Sequence, residues 1–181
     1  IINGFTIDFI TIPEGVYYAP GSNENNFVES YEIGKYEVTN QQYLVYLNNA
    51  ISIGVVWEGE CIDNIGHSCI NGFYFSDNEM FEKTFFVLDD PRDYEIDEYF
   101  FGRFEFIDDQ YIINDVAYLE HPVVFVSWYG ANHFAEYNGF RLPLYDEWIR
   151  SGRGTTYSWW PWTTGSSDNY LKLNSLNSDY N

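Results

Sequence analysis

The sequence has few basic residues, and this shortage limits the partners it can bind. Only 8 Lys and Arg stand against 28 Asp and Glu, which gives a formal net charge of −20. Proteins bind a phosphate backbone by neutralising its charge with Lys and Arg, so this balance argues against nucleic acid and anionic membranes. The acids are densest between Glu58 and Glu120. We interpret that part as a solvated acidic surface, with weak cation binding as the alternative.

Long apolar runs are also missing. No stretch reaches the 18 or so apolar residues that a membrane-spanning helix requires, so we predict no membrane span. The chain opens at Ile1 without an initiator Met or a signal peptide. Such a start is expected of a processed chain or of an excerpt from a longer one.

Cysteine is scarce, and its two copies lie close together in the sequence. Cys61 and Cys69 are separated by a short polar stretch that contains His67. This spacing favours a local disulfide, which would indicate an oxidising compartment. A metal bound by both thiols and His67, and two free thiols, are the alternatives; the metal would be one ligand short of a closed zinc site.

Aromatic residues, in contrast, are abundant. Seventeen Tyr, 15 Phe and 6 Trp make up 21% of the chain. Rings of this kind favour β-sheets, and they also favour surfaces for binding or assembly. The composition therefore favours sheets and a surface for binding or assembly.

Three helices are predicted from their caps and spacing. Thr39 is a natural N-cap for a first helix that should stop at Asn48 and Asn49. Ser127 caps a second helix over residues 128–137, which Asn138 and Gly139 end. A shorter third helix is predicted for residues 144–151.

Strands are predicted on both sides of the first helix. Residues 5–12, 16–18 and 27–38 precede it, and the apolar run 123–126 is typical of a buried strand. Residues 51–120 form a β-rich insertion of short aromatic strands, with a tight hairpin at Asp108, Asp109 and Gln110. We interpret residues 1–181 as one domain that contains this insertion and ends in an irregular tail at 154–181.

Four segments carry a resemblance to a known family. They are residues 9–17 (FITIPEGVY), 36–43 (YEVTNQQY), 121–131 (HPVVFVSWYGA) and 139–148 (GFRLPLYDEW). In content and order they resemble the motifs of formylglycine-generating enzymes, or sulfatase-modifying factors, and together they span almost the whole chain. The resemblance implies an α+β, C-type-lectin-like fold of short, twisted antiparallel strands with two main helices, to which this chain adds a long aromatic insertion.

The motif residues are interpreted as structural. Arg141 lies in an apolar segment and needs an acid or a carbonyl as partner, and Glu147 is the nearest candidate. The full set that we assign to the fold is Glu37, Thr39, Asn40, Ser127, Trp128, Arg141, Glu147 and Trp148.

The catalytic and metal features that the resemblance implies are not matched. Family members oxidise a substrate cysteine with copper bound by two cysteines late in the domain, whereas no Cys follows Gly154 here. Cys61 and Cys69 belong to the insertion and cannot be equated with that pair, so no catalytic residue is assigned and enzyme activity is not expected. The family's calcium site points to Asn169 as a candidate ligand, which makes calcium the candidate cofactor.

These observations favour a non-catalytic extracellular module that binds a partner or builds an assembly. The strand at residues 5–12 would present an open edge, so we expect a homo-oligomer or filament, or else binding to another extracellular protein. The alternative is the N-terminal part of a formylglycine-generating oxidase that acts on sulfatase cysteines. An iron-dependent sulfoxide synthase is a third reading, but three scattered His residues give it little support.

Overall fold

The computed structural model describes residues 5–19, 25–62, 66–88 and 103–155. The chain divides into two compact units, one of residues 1–8 and 36–142 and the other of residues 9–35 and 143–181. Within the described residues there are three α-helices and nine strands. The helices are α1 (Asn40–Ser52), α2 (Trp128–Tyr137) and α3 (Tyr145–Arg153). The strands are β1 (Phe9–Ile12), β2 (Gly15–Tyr18), β3 (Asn25–Val28), β4 (Tyr31–Gly34), β5 (Val56–Glu60), β6 (Ser68–Ser76), β7 (Glu79–Val87), β8 (Phe104–Ile107) and β9 (Gln110–Ile113).

The first unit contains a three-stranded antiparallel sheet, ordered β5-β6-β7, and the β8–β9 hairpin. Its core is aromatic, because α1 turns one face towards the sheet at helical spacing. Tyr43 lies 5.6 Å from the rings of both Phe86 and Phe134, measured between centroids. The buried members of this core are Tyr43, Tyr46, Leu47, Ala50, Val56, Ile70, Phe85, Phe86, Phe104, Tyr111, Ile113 and Phe134. The β-rich insertion thus supplies much of the core.

Helix α1 starts as predicted but runs past its predicted end. The Thr39 hydroxyl accepts a hydrogen bond from the Gln42 amide, and the Gln42 side chain accepts one from the Thr39 amide. The predicted stop at Asn48 and Asn49 is wrong. The Asn48 side chain instead donates to Tyr111 O at 2.8 Å and accepts from Tyr111 N at 2.7 Å. An Asn whose amide is satisfied across the core does not compete with the helix backbone, so α1 continues to Ser52.

Helix α2 has the predicted bounds, and its position depends on a bulge in β7. Ser127 caps the helix through Gly130 N and also donates to Thr84 O at 2.5 Å. The β6–β7 register shifts between Ile70 and Asn71, which leaves Phe85 without a paired residue. A Cβ on Gly130 would lie 2.1 Å from Phe85 O. The helix therefore approaches the bulge as closely as only glycine allows.

The prediction of a buried strand at residues 123–126 is wrong. These residues form no strand, and Val124 is 50% exposed. Phe125 has a φ of +64°, which breaks an extended run. The backbone on either side of this turn bonds to different partners, with Val123 N donating to Val38 O and Phe125 O accepting from Val87 N. The apolar run therefore connects two elements and is not itself a strand.

Both hairpins of this unit turn through left-handed residues. Asp108 and Asp109 have φ values of 51° and 63°, so the predicted tight turn is confirmed. Asp77 and Asn78 make the same kind of turn between β6 and β7, with φ values of 51° and 65°. We call residues 68–72 and 83–87 of this longer hairpin its inner half, and residues 73–76 and 79–82 its outer half.

The second unit holds two-stranded sheets, β1 with β4 and β2 with β3, together with α3. The strand predicted over residues 27–38 is wrong in extent, because it is interrupted at residues 29 and 30 between β3 and β4 and ends at Gly34. The strand predicted from Phe5 begins at Phe9 instead, since Phe5 stacks on Phe134 in the first unit at 5.9 Å. Helix α3 ends at Arg153, whose side chain donates to Tyr18 O at 2.9 Å.

Candidate functional site

The two cysteines form a disulfide with a Cα–Cα distance of 4.9 Å, as their spacing favours. Cys69 is fully buried and Cys61 is 4% exposed. Cu(I) requires thiolate or thioether sulfur, and a buried disulfide offers neither thiolate. Cys61 and Cys69 therefore do not fit a copper site. Among the described residues, no group of three or more His, Cys, Asp and Glu side chains is arranged to hold a metal ion.

A cavity of about 530 Å³ lies beside the start of α1 in the first unit. It carries three carboxylates, from Asp8, Glu37 and Glu120, and the exposed Tyr36 ring. The other lining residues are Thr6, Ile7, Val38, Thr39, Gln42 and Pro122. The first amides of α1 already donate within the chain, Asn40 N to His121 O and Gln41 N to Leu119 O. An anion in this cavity would lie near three carboxylates and near amides that already donate hydrogen bonds within the chain. The cavity therefore does not suit an anionic ligand.

The motif residues Thr39, Asn40 and Ser127 make hydrogen bonds within the first unit, and their interpretation as structural residues stays a prediction. Asn40 is 3% exposed, and its amide donates to Tyr118 O at 2.9 Å. Thr39 is the N-cap described above, and Ser127 plays the same part for α2. Glu37 and Thr39 both line the cavity.

The motif residues near α3 are spread between buried and exposed positions. Glu147 is 5% exposed and accepts from Leu144 N at 2.7 Å, which supports the first turn of α3. Arg141 is exposed and donates to Leu142 O at 3.1 Å, so a carbonyl is one of its partners. Its pairing with Glu147 stays a prediction. Trp148 is 63% exposed. Asn169, the candidate calcium ligand, lies outside the described residues, as does most of the tail at 154–181.

Trp128 belongs to a cluster of rings at the start of α2. Tyr74 lies 5.7 Å from Trp128 and 5.1 Å from Tyr129, and Trp128 lies 5.4 Å from Tyr129, between ring centroids. The interplanar angles are 79°, 62° and 88°, so the three rings meet edge to face. Trp128 is 56% exposed. We call Tyr74, Trp128 and Tyr129, with the neighbouring Phe81, the aromatic corner.

The hairpin register places Phe81 and Lys83 beside this cluster. Tyr74 pairs with Phe81 and Gly72 with Lys83, and cross-strand partners point to the same face of a sheet. The Lys83 ammonium lies 5.1 Å from the centre of the Tyr129 ring, within the range of a cation–π contact. The corner therefore presents ring faces of the kind that attract cations.

A second polar pair lies under α2. The Tyr46 hydroxyl and His133 Nδ1 are 2.8 Å apart, and the His133 ring packs 5.0 Å from Phe85. Burial lowers the pKa of His133 below its usual value, against a smaller opposing effect of Glu136. Burial also raises the pKa of Tyr46 far above its usual value. Both groups are therefore neutral near pH 7, and their bond stabilises the core.

Sequence reasoning missed Tyr74, Phe81 and Lys83 as members of a surface cluster. The run of three rings at residues 73–75 was the available signal. In a strand, neighbouring side chains point to opposite faces, so a run of this kind places rings on both faces. Where only one face is covered, the rings of the other face must be exposed.

Comparison with known proteins gives a family match and two short similarities. A family model described as the sulfatase-modifying factor enzyme 1-like domain matches residues 6–181. The serine/threonine-protein kinase pkn1 of Chlamydia pneumoniae is 49% identical over 43 residues, which cover 24% of this chain and 7% of that protein. The pkn1 of Chlamydia caviae is 43% identical over 51 residues, covering 28% of this chain and 8% of that protein.

These matches have two limits. The chain spans less than a tenth of the length of these curated relatives. No solved structure is significantly similar to it.

Among the described residues, no helix has both the length and the apolar character needed to cross a membrane.

Proposed function

Since the chain belongs to the sulfatase-modifying factor enzyme 1-like domain family, we propose that it is a non-catalytic module that binds a partner or builds an assembly outside the cell. We further propose a C-type-lectin-like arrangement for its fold. The three helices and small antiparallel sheets are compatible with such a domain. A fold of this kind can host many functions, so the proposal depends on the side chains and not on the fold.

The disulfide is the observation that carries the non-catalytic part. These 181 residues contain two cysteines, and Cys61 and Cys69 are bonded to each other and buried. Oxidation of a substrate cysteine through copper needs free thiolates in an accessible site. This stretch of chain therefore has no thiolate to supply.

The binding part is supported by apolar side chains that the described structure leaves exposed. Phe75 is 68% exposed and Met80 57%, and as cross-strand partners they share one face of the outer half of the β6–β7 hairpin. Trp128, which contacts Tyr74 on the other face, is 56% exposed. Aromatic and Met side chains are enriched where proteins bind each other. Grouped apolar exposure of this kind indicates an interaction surface.

The extracellular location is supported by the same disulfide. Disulfides form and persist in oxidising compartments and are rare where thiols are kept reduced. The proposed module could act in two ways, by assembling with its own copies into an oligomer or filament or by binding a different protein. The charge of −20 opposes contact between copies, so it favours a partner of the opposite charge.

The oxidase alternative can be tested directly, whereas the kinase similarity supports no activity for this chain. The kinase name belongs to relatives that this chain matches over 24% and 28% of its own length, and we transfer no activity from it. The oxidase alternative predicts conversion of a sulfatase-type cysteine peptide to formylglycine.

The experiment incubates the purified chain with that cysteine peptide, with and without copper, and follows the peptide by mass spectrometry. We expect no conversion, because the disulfide withholds both sulfurs. Sedimentation of the same sample at micromolar concentration separates the two forms of the role. Conversion of the peptide would overturn the proposal, and a monomer would remove the self-assembly form.

A further inference from the structure

We propose that the aromatic corner is a docking site for a Lys or Arg side chain of a cationic partner protein. The inference rests on the proposed binding role and specifies which surface and which partner chemistry carry it. The corner consists of Tyr74, Phe81, Trp128 and Tyr129, all within the first unit. Its rings face solvent in part, with Trp128 56% and Phe81 40% exposed.

The geometry of the rings suits a cation. The rings of Tyr74, Trp128 and Tyr129 stand at 62° to 88° to one another. Rings at such angles present faces in different directions, and the face of each ring carries the negative part of its quadrupole. A cation held near one face is attracted electrostatically, and Trp is the strongest of these rings. The most exposed ring of the corner is that of Trp128.

The chain itself shows that an ammonium group can be held here. The Lys83 Nζ atom lies 5.1 Å from the centre of the Tyr129 ring. Lys83 points to the same face of the hairpin as Tyr74 and Phe81, as the strand register requires. We infer that Lys83 occupies part of the same surface and competes with the cation of a partner.

The charges around the corner favour a cationic partner over a second copy. Glu79 is exposed and pairs with Ser76, so it lies on the same face as Phe81, about 7 Å further along the strand. Its carboxylate can pair with the head of a Lys or Arg whose stem lies along the rings. The whole chain carries −20, so a cationic protein is attracted to it and another copy is repelled.

The test measures the affinity of an oligolysine peptide for the chain at physiological ionic strength by fluorescence anisotropy. Trp128→Leu keeps apolar volume and removes the ring. We expect it to weaken binding about five-fold, the equivalent of one exposed cation–π contact. Trp148→Leu is the matched control, because Trp148 is 63% exposed on α3 and lies outside the corner. Both variants leave the net charge unchanged, so general attraction between the peptide and the protein cancels.

A second pair of variants tests the competing lysine. Lys83→Met should tighten binding about two- to five-fold more than Lys35→Met, which makes the same change in net charge at a residue that is not a member of the corner. An acetylated oligolysine peptide of equal length should bind far more weakly than the cationic one.

Far-ultraviolet circular dichroism and the melting temperature confirm that each variant is folded. Phe81→Leu replaces Trp128→Leu should the latter fail to fold.

The outcomes separate this inference from the proposed function. Equal weakening by Trp128→Leu and Trp148→Leu, or no difference between the two Lys variants, would overturn the docking site and leave a binding module with a different surface. Conversion of a cysteine peptide would overturn the non-catalytic role and leave these affinity comparisons unaffected. A second copy as the occupant would appear as concentration-dependent association that Trp128→Leu abolishes, and this too would overturn the choice of partner.

Discussion

The two halves of the β6–β7 hairpin use aromatic side chains in opposite ways. In the inner half, Phe85 and Phe86 are each 1% exposed and pack against α1 and α2. In the outer half, Phe75 and Phe81 are 68% and 40% exposed. The same residue type thus contributes to the core at one end of a hairpin and to the surface at the other. The number of aromatic residues therefore does not show whether they stabilise the core or form a binding surface. The burial of each side chain decides that.

The difference has a structural cause in the bulge at Phe85. The extra residue turns the inner half towards α2, where Gly72 and Gly130 leave room for it. Beyond the bulge, residues 73–76 and 79–82 pair only with each other among the described residues. Burial is therefore concentrated around this bulge, in residues 69–72 and 85–86.

Gly130→Ala should break the inner half and have the largest effect. Its Cβ would lie 2.1 Å from Phe85 O, so helix or strand must move, at a cost of about 3 kcal/mol in the free energy of unfolding. Gly152→Ala is the matched control, since it also lies in a helix but in open space, and it should stabilise by about 0.5–1 kcal/mol. Urea denaturation measures both. Equal effects of the two substitutions would show that Gly130 is not a contact point.

Removal of the disulfide should weaken the start of the inner half. Cys61→Ala with Cys69→Ala releases a short loop in the unfolded chain, and we expect a loss of about 2–3 kcal/mol. The natural chain should lose a similar amount when a chemical reductant is present, and the double variant should not respond to the reductant. A double variant as stable as the natural chain would contradict a structural disulfide.

Asn71→Ala tests the polar part of the inner half. Asn71 is 1% exposed, donates to Glu60 O at 2.8 Å and accepts from Thr84 Oγ1 at 3.1 Å. Its removal leaves buried polar groups without these partners, which costs about 2 kcal/mol. Ser76→Ala in the outer half is the control and should change stability by less than about 0.5 kcal/mol. The comparison fails if the two losses are equal.

His133 should make the stability of the inner half depend on pH. Burial lowers its pKa in the folded protein, so the unfolded chain takes up a proton first as the pH falls. Its contribution to the free energy of unfolding is constant well above a pH of about 6.5 and decreases as the pH falls below that value. His133→Asn retains a polar side chain that can bond to the Tyr46 hydroxyl and removes the titration, so the decrease should become shallower. Denaturation at several pH values checks this, and identical slopes would contradict it.

The smallest effect on stability should come from the exposed face of the outer half. Phe75→Ser and Met80→Ser each replace a side chain that is more than half exposed, so each should change the free energy of unfolding by less than about 0.5 kcal/mol. Thermal melts of the two variants and the natural chain are sufficient. A loss above about 1 kcal/mol in either variant would mean that the outer half contributes to the core.

The sequence predicted the features that depend on neighbouring residues. The starts of α1 and α2 follow from Thr39 and Ser127, because a cap acts through amides two or three residues away. The turn at Asp108 and Asp109 was predictable for the same reason. The family was visible in four short segments, and the family match to residues 6–181 confirms it.

The features that the sequence did not reveal depend on distant partners. Asn48 reads as a helix stop until its bonds to Tyr111 are known. The run 123–126 reads as a strand, but its backbone bonds to Val38 and Val87 force a turn at Phe125. The aromatic corner joins residues from β6, β7 and α2, and no local pattern specifies that meeting.

The most direct test compares one aromatic residue from each half by stability and affinity together. Phe85→Leu should lower the free energy of unfolding by about 1–2 kcal/mol and leave the affinity of the folded protein for oligolysine unchanged. Trp128→Leu should weaken that affinity about five-fold and cost less than about 1 kcal/mol of stability. Unchanged affinity in Trp128→Leu, with a loss of stability equal to that of Phe85→Leu, would contradict the account.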